Sequence, residues 1–152
     1  MSQANKTWPS TEARAAQPNL GSDVVARAEA ALQALAGQFA RWLQDEIDKL
    51  DAARDRVAGE GMAGEAGDIF YTHAHDMKGL GGTYGFPIVT RMAGSLCTLV
   101  EDPGRRPGVS LALIDSHIEA IKTMVREDIR EELHPKGGAM AAALENQVHA
   151  AR

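Results

Sequence analysis

From Ser22 onward, apolar residues recur at Val24, Ala28, Leu32, Leu35, Phe39, Trp42 and Leu43, then at Ile47, Leu50 and Val57. Steps of three and four predict one long amphipathic helix, with Ser22 as its N-cap and Gly37 as a point where it can bend. The other face carries Arg27, Glu29, Arg41, Asp45, Asp48 and Lys49 and reads as solvated surface. Glycines 59, 61 and 64 break the pattern as a connection does. A second helix is predicted over residues 65–84, with an inward stripe of Ile69 or Phe70, His73 or Ala74, Met77, Leu80 or Gly81, and Tyr84. Gly85 is placed to end it in a left-handed cap. Pro87 suits a first-turn position and opens a third helix whose apolar face is Ile88, Met92, Leu96, Leu99 and Val100. A Pro/Gly loop over residues 102–108 terminates it. Ser110 caps a fourth helix running to about residue 133, with Ile114, Ile118, Ile121, Val125 and Ile129 in register.

Four amphipathic helices with short connections predict an all-α, antiparallel four-helix bundle over residues 22–133. Residues 1–21 mix polar side chains with two prolines and read as a flexible leader. The Ala-rich residues 139–152, after His134-Pro135-Lys136-Gly137-Gly138, leave two readings open, an extra C-terminal helix or a tail over 134–152.

Composition narrows the function classes. With 152 residues the chain can bury a core without staples, and aromatics at only 5% favour helices over sheets. A net charge of −5, with acids spread along the chain, leaves no basic footprint for nucleic acid or anionic lipid. No apolar run reaches the roughly 20 residues of a membrane helix, and the polar start lacks a signal peptide's apolar region, so a cytoplasmic protein is expected. The single cysteine, Cys97, excludes an internal disulfide and reads as a small buried hydrophobe.

The stretch AHDMKGLGGTYG, residues 74–85, carries the candidate chemistry. Glycine weakens a helix by about 1 kcal/mol relative to alanine, yet four stand beside His75 and Lys78. At 100° per residue, His75 shares a face with Tyr71, Thr72, Lys78, Gly79 and Gly82, whereas Met77 and Tyr84 turn toward neighbouring helices. Gly79 and Gly82 remove the side chains that would crowd an outward imidazole, which predicts close approach by another surface. Lys78, one turn on, can reach an anion attached to the ring. Imidazole is a competent nucleophile when neutral, so a phosphoryl group fits this arrangement.

These residues resemble a known family, the histidine-containing phosphotransfer (HPt) domains of bacterial multistep phosphorelays. The resemblance rests on His-x-x-Lys-Gly and a glycine six positions on, here His75, Lys78, Gly79 and Gly85, and on SLCTLVE (residues 95–101), similar to the family's third bundle helix. It is strongest over residues 69–101. It implies that His75 accepts a phosphoryl group from an aspartyl phosphate on a response-regulator receiver domain and passes it to another receiver's aspartate, with Lys78 steadying the phosphate. Tyr71, Thr72, Gly79 and Gly82 would meet the docking partner, and Gly85 would be structural. The implied partners are receiver domains and a hybrid histidine kinase. The receiver would bring Mg²⁺, with no cofactor or small-molecule substrate of the chain's own. The competing reading is a non-catalytic helical adaptor that docks receivers without carrying phosphate.

Other polar residues take plainer readings. His73 diverges from His75 on the helix, a poor geometry for a shared metal site, and reads as a packed imidazole. His117, flanking the apolar stripe of the fourth helix, reads the same way. Gly79-Leu80-Gly81-Gly82-Thr83 follows no strand and lacks the dinucleotide fingerprint. Asp76 reads as surface charge, and Arg105 and Arg106 as solvated loop residues able to rim a docking site.

Overall fold

The computed structural model describes residues 18–152, and the side chains from 21 onward; of the leader expected over residues 1–21, residues 1–17 lie outside them and residues 18–21 are helical instead. The described chain is all-α: α1 (Pro18–Glu60), α2 (Glu65–Thr83), α3 (Pro87–Val100), a 3₁₀ turn (Arg106–Gly108), α4 (Leu111–Arg126) and α5 (Pro135–Ala150), with no strand among the described residues. Two compact units divide within α1 after Gly37, the described residues of the first being 18–37 and the second residues 38–152.

In the first unit the described residues belong to α1. This helix begins at Pro18 rather than Ser22 and stays helical through Gly37. Proline suits a first turn because its missing N–H would have no intrahelical partner there. The expected apolar positions Val24, Leu32 and Leu35 are exposed.

The second unit holds the core. Leu43, Ile47, Leu50, Ala53 and Val57 of α1 are buried, as are Phe70, Ala74, Met77 and Gly81 of α2. From α3 come Ile88, Val89, Met92, Leu96 and Val100, and from α4 Ile114, Ile118, Ile121 and Met124. Each large side chain so buried contributes about 1.5–3 kcal/mol relative to exposure. Leu99 and Val125, expected inside, are half-buried. Helix α3 packs on α2, α4 and α5, and α4 packs on α5.

Both caps that bound the α2–α3 connection follow the sequence. Gly85 has φ +87°, and the N–H groups of Gly85 and Phe86 donate to the carbonyls of Gly82 (3.1 Å) and Gly81 (2.7 Å). This is a Schellman pair, which satisfies two carbonyls the helix would otherwise orphan. Pro87 occupies the first turn of α3. Ser110 Oγ accepts the N–H of Leu113 and caps α4.

Helix α4 stops at Arg126, short of the expected end near 133. A second Schellman pair closes it: the N–H groups of Asp128 and Ile129 donate to the carbonyls of Val125 (3.3 Å) and Met124 (2.9 Å). Asp128 takes the left-handed position at φ 55°. The reversal lets Pro135–Ala150 return as α5, whose Ala141, Leu144 and Val148 join the core. The Ala-rich end is therefore a packed helix. Gly137 makes this docking close, since a Cβ there would lie 3.0 Å from Ile129 Cγ2 and 3.1 Å from Met124 Sδ.

Candidate functional site

Helix α2 buries Ala74 and Met77 and thereby turns His75, Asp76, Lys78 and Gly79 to solvent. His75 is exposed, and its ring lies tilted 6.0 Å from that of Tyr71 one turn earlier. Lys78 is also exposed, and among the described residues its ammonium has neither a hydrogen-bond nor an ion-pair partner. Its stem leans onto α3: a Cβ built on Gly94 would lie 3.9 Å from Lys78 Cδ and 3.8 Å from Cε. Lys78 edges a cleft of about 530 Å³ whose wall includes Thr90, Gly94, Thr98 and the Arg91–Glu145 pair, bound through two contacts of 2.7 and 3.0 Å.

The four glycines after His75 separate into two kinds. At Gly81 a Cβ would lie 2.7 Å from the backbone nitrogen of Thr90 and 2.8 Å from its hydroxyl, so close packing of α2 on α3 demands glycine. Gly85 is required by its positive φ. At Gly79 a Cβ would meet nothing within 4 Å, and at Gly82 only Thr90 Oγ1 at an ordinary 3.5 Å. Neither packing nor backbone conformation calls for glycine at these two positions, and both lie exposed on the His75 side of α2.

Thr90 was not singled out by sequence. Its hydroxyl donates to the carbonyl of Lys78 (2.8 Å) and accepts the N–H of Gly82 (2.7 Å), the two ends of one i,i+4 step of α2. A hydroxyl inserted into the helix ladder fixes the glycine-rich turn that its own residues hold poorly. Gly94 was missed as well. An isolated glycine inside a helical pattern is the signal that could have marked it.

The remaining candidates resolve as follows. Thr72 is exposed, its hydroxyl donating to the carbonyl of Asp68. Tyr71 is half-buried beneath Arg106, whose guanidinium carbon lies 5.3 Å from the ring centre. Arg106 is not solvated: it is buried, donating from Nε to the carbonyl of Val100 and from a terminal nitrogen to Asp68, each at 2.6 Å. A planar fork can satisfy two acceptors in place, and the loop uses Arg106 to tie α2 to the end of α3. Arg105 and Asp76 are exposed, as read.

His73 is half-buried, with a buried Nδ1 that has no hydrogen-bond partner among the described residues. His117 is fully buried. Its Nδ1 donates to the carbonyl of Leu113 (2.8 Å), which leaves Nε2 to accept from Ser95 Oγ (2.9 Å). Burial lowers the pKa of this imidazole against the opposing pull of the Leu113 carbonyl. Burial also pushes the Cys97 thiol up to about 11, which makes it unreactive. Among the described residues no helix is long and apolar enough to cross a membrane. In comparisons with known proteins the chain matches no family model, no curated protein and no solved structure.

Proposed function

We propose that this chain is a histidine phosphotransfer protein: His75 accepts a phosphoryl group from the aspartyl phosphate of one receiver domain and passes it to the aspartate of another. In this reading α2, α3, α4 and the part of α1 beyond Gly37 form the antiparallel four-helix bundle of the HPt family, with α5 added to it. One observation carries the proposal. His75 is bare to solvent with an uncompensated cation one turn away, and it is flanked by two glycines, Gly79 and Gly82, for which the fold has no use of its own. Glycine there costs helix stability, and clearance for a docking protein offsets that cost.

In the transfer, a neutral ring nitrogen attacks phosphorus in line. The N–P bond forms as the aspartyl O–P bond breaks, the carboxylate leaves with the electron pair, and the ring's other nitrogen sheds its proton to solvent. Such a loose reaction depends on positioning and charge neutralisation. The receiver's Mg²⁺ supplies most of the latter, and Lys78, on a flexible four-carbon stem, swings from Gly94 to the phosphorylated ring.

Incubation with a phosphorylated receiver is expected to give an acid-labile, base-stable adduct that is absent in His75→Ala. An adduct unchanged by that substitution would sink the assignment. Lys78→Ala is expected to slow transfer or shorten retention of the phosphate with the fold intact. Receiver binding indifferent to His75→Gln, with no uptake from any receiver, would instead make the chain a docking adaptor.

A further inference from the structure

Gly94 stands in the interior of α3, where glycine weakens a helix relative to alanine. It has no positive φ, and outside its own helix a Cβ there would meet only Lys78, with Cε at 3.8 Å and Cδ at 3.9 Å. Those are ordinary contact distances to a flexible stem. Neither backbone conformation nor helix packing calls for glycine at this position. Gly79 and Gly82 bare the surface beside His75, whereas Gly94 faces the lysine from the opposite helix.

Thr90 and Thr98 lie one turn to either side of Gly94 on the same face of α3, and all three are half-buried along the cleft that Lys78 edges. Both hydroxyls turn back to helix backbone, Thr90 donating to the carbonyl of Lys78 itself (2.8 Å) and Thr98 to that of Gly94 (3.1 Å). Between them the floor is bare backbone, and the apolar stem of Lys78 lies on it. The charge at its end is felt on α3 as well: burial pushes the Cys97 thiol up, and the Lys78 ammonium pulls against that rise. Among the described residues the ammonium has no ion-pair partner there, so nothing but apolar contact holds it.

We infer that Gly94 is a positioning residue for the phosphoryl transfer proposed above: it seats the Lys78 stem on α3, with the ammonium in reach of His75 one turn back on α2 and the ring left open to the incoming donor. The inference rests on that reading. A lysine pinned by a carboxylate would be slow to leave, and one loose in solvent would have to be ordered when the phosphate arrives. A stem lying on bare backbone avoids both costs.

Phosphoramidate tests the seat, because this small donor has no docking surface and an effect on it cannot come from clearance for a partner protein. The ring nitrogen attacks phosphorus, the donor's P–N bond breaks with ammonia taking the electron pair, and the ring sheds its other proton to solvent. Uptake followed by phosphorus NMR is expected to be about two- to tenfold slower in Gly94→Leu, the cost of ordering one rotamer-rich side chain. In a Lys78→Ala background the same substitution is expected to change nothing further. Gly94→Ala, which meets the stem at ordinary distance, is expected to lose less than Gly94→Leu. Urea denaturation is expected to find both at least as stable as the parent, as replacement of an interior helical glycine implies. In the unphosphorylated parent, a nuclear Overhauser contact between the Lys78 ε-protons and the Gly94 α-protons is expected, weakening once His75 is phosphorylated. Absence of that contact overturns the inference, whether or not Gly94→Leu folds. So does a folded Gly94→Leu that takes up phosphate at the parent rate, or one slowed equally with and without Lys78, or an equal loss in Gly94→Ala. A parent that shows the contact yet takes no phosphate on His75 sinks the transfer reading itself, and Gly94 is then only a packing site for the lysine.

Discussion

Two neighbouring glycines of α2 separate packing from function at the scale of single residues. Gly81→Ala would drive a Cβ to 2.7 Å from the Thr90 backbone, which cannot retreat without moving α3, and is expected to destabilise by about 1–3 kcal/mol. Gly79→Ala meets open space and removes a flexible residue from a helix interior, so it is expected to stabilise by up to about 1 kcal/mol. If the bare surface beside His75 serves docking, the more stable Gly79→Ala protein takes up phosphate more slowly. Urea denaturation together with transfer kinetics on both variants reads the two effects, and unchanged uptake in Gly79→Ala would remove the clearance argument. His117 supplies a second test. Its buried, neutral ring has a pKa below the unfolded value of about 6.5. As pH falls through that value the unfolded chain binds a proton that the folded chain refuses. The stability held at neutral pH is thus lost progressively on acidification, until the folded ring itself titrates. Urea midpoints between pH 7.5 and 5 are expected to fall less steeply in His117→Asn, which keeps a donor for Leu113 and an acceptor for Ser95.

At the scale of elements, legibility followed the residues that announce their own geometry. Gly85 and Pro87 punctuate the α2–α3 connection by backbone chemistry that few other residues share, and Ser110 caps α4 as its hydroxyl predicts. The end of α4 was illegible because its left-handed position is held by Asp128, a residue as common on helix surfaces as at their ends, while Ile129 keeps the apolar register beyond it. In α5 the run of alanines blurred the periodicity, since only Ala141 among them is buried and the close approach is made at Gly137. Arg106 looked solvated because sequence does not reveal that Val100 and Asp68 wait to receive its donors. The positions of His75, Lys78, Gly79 and Gly82 on the exposed side of α2 could be read from periodicity alone. The Thr90 hydroxyl that braces their turn could not, since that contact arises only when two helices meet. The α4 terminus is directly testable. Asp128→Gly is expected to stay within about 0.5 kcal/mol of the parent, exchanging a surface link to Arg130 for freedom at positive φ. Asp128→Val, β-branched and forced into the same conformation, is expected to lose about 1–2 kcal/mol in chemical denaturation.

Across the whole molecule, one helix belongs to two regimes. From Leu43 onward, α1 is anchored by five buried apolar side chains, so opening its backbone means disrupting the core. Over residues 21–35 every side chain is exposed, and the helix there rests on its own hydrogen bonds. Helices held only by their own ladder are marginal in water, whereas core helices open at a cost approaching global unfolding. Amide hydrogen exchange in dilute protein is therefore expected to run at least about tenfold faster over residues 21–35 than over 43–57, despite the unbroken helix. Equal protection of both stretches would mean that contacts beyond the helix's own ladder hold the first one, against the exposure of every side chain over residues 21–35.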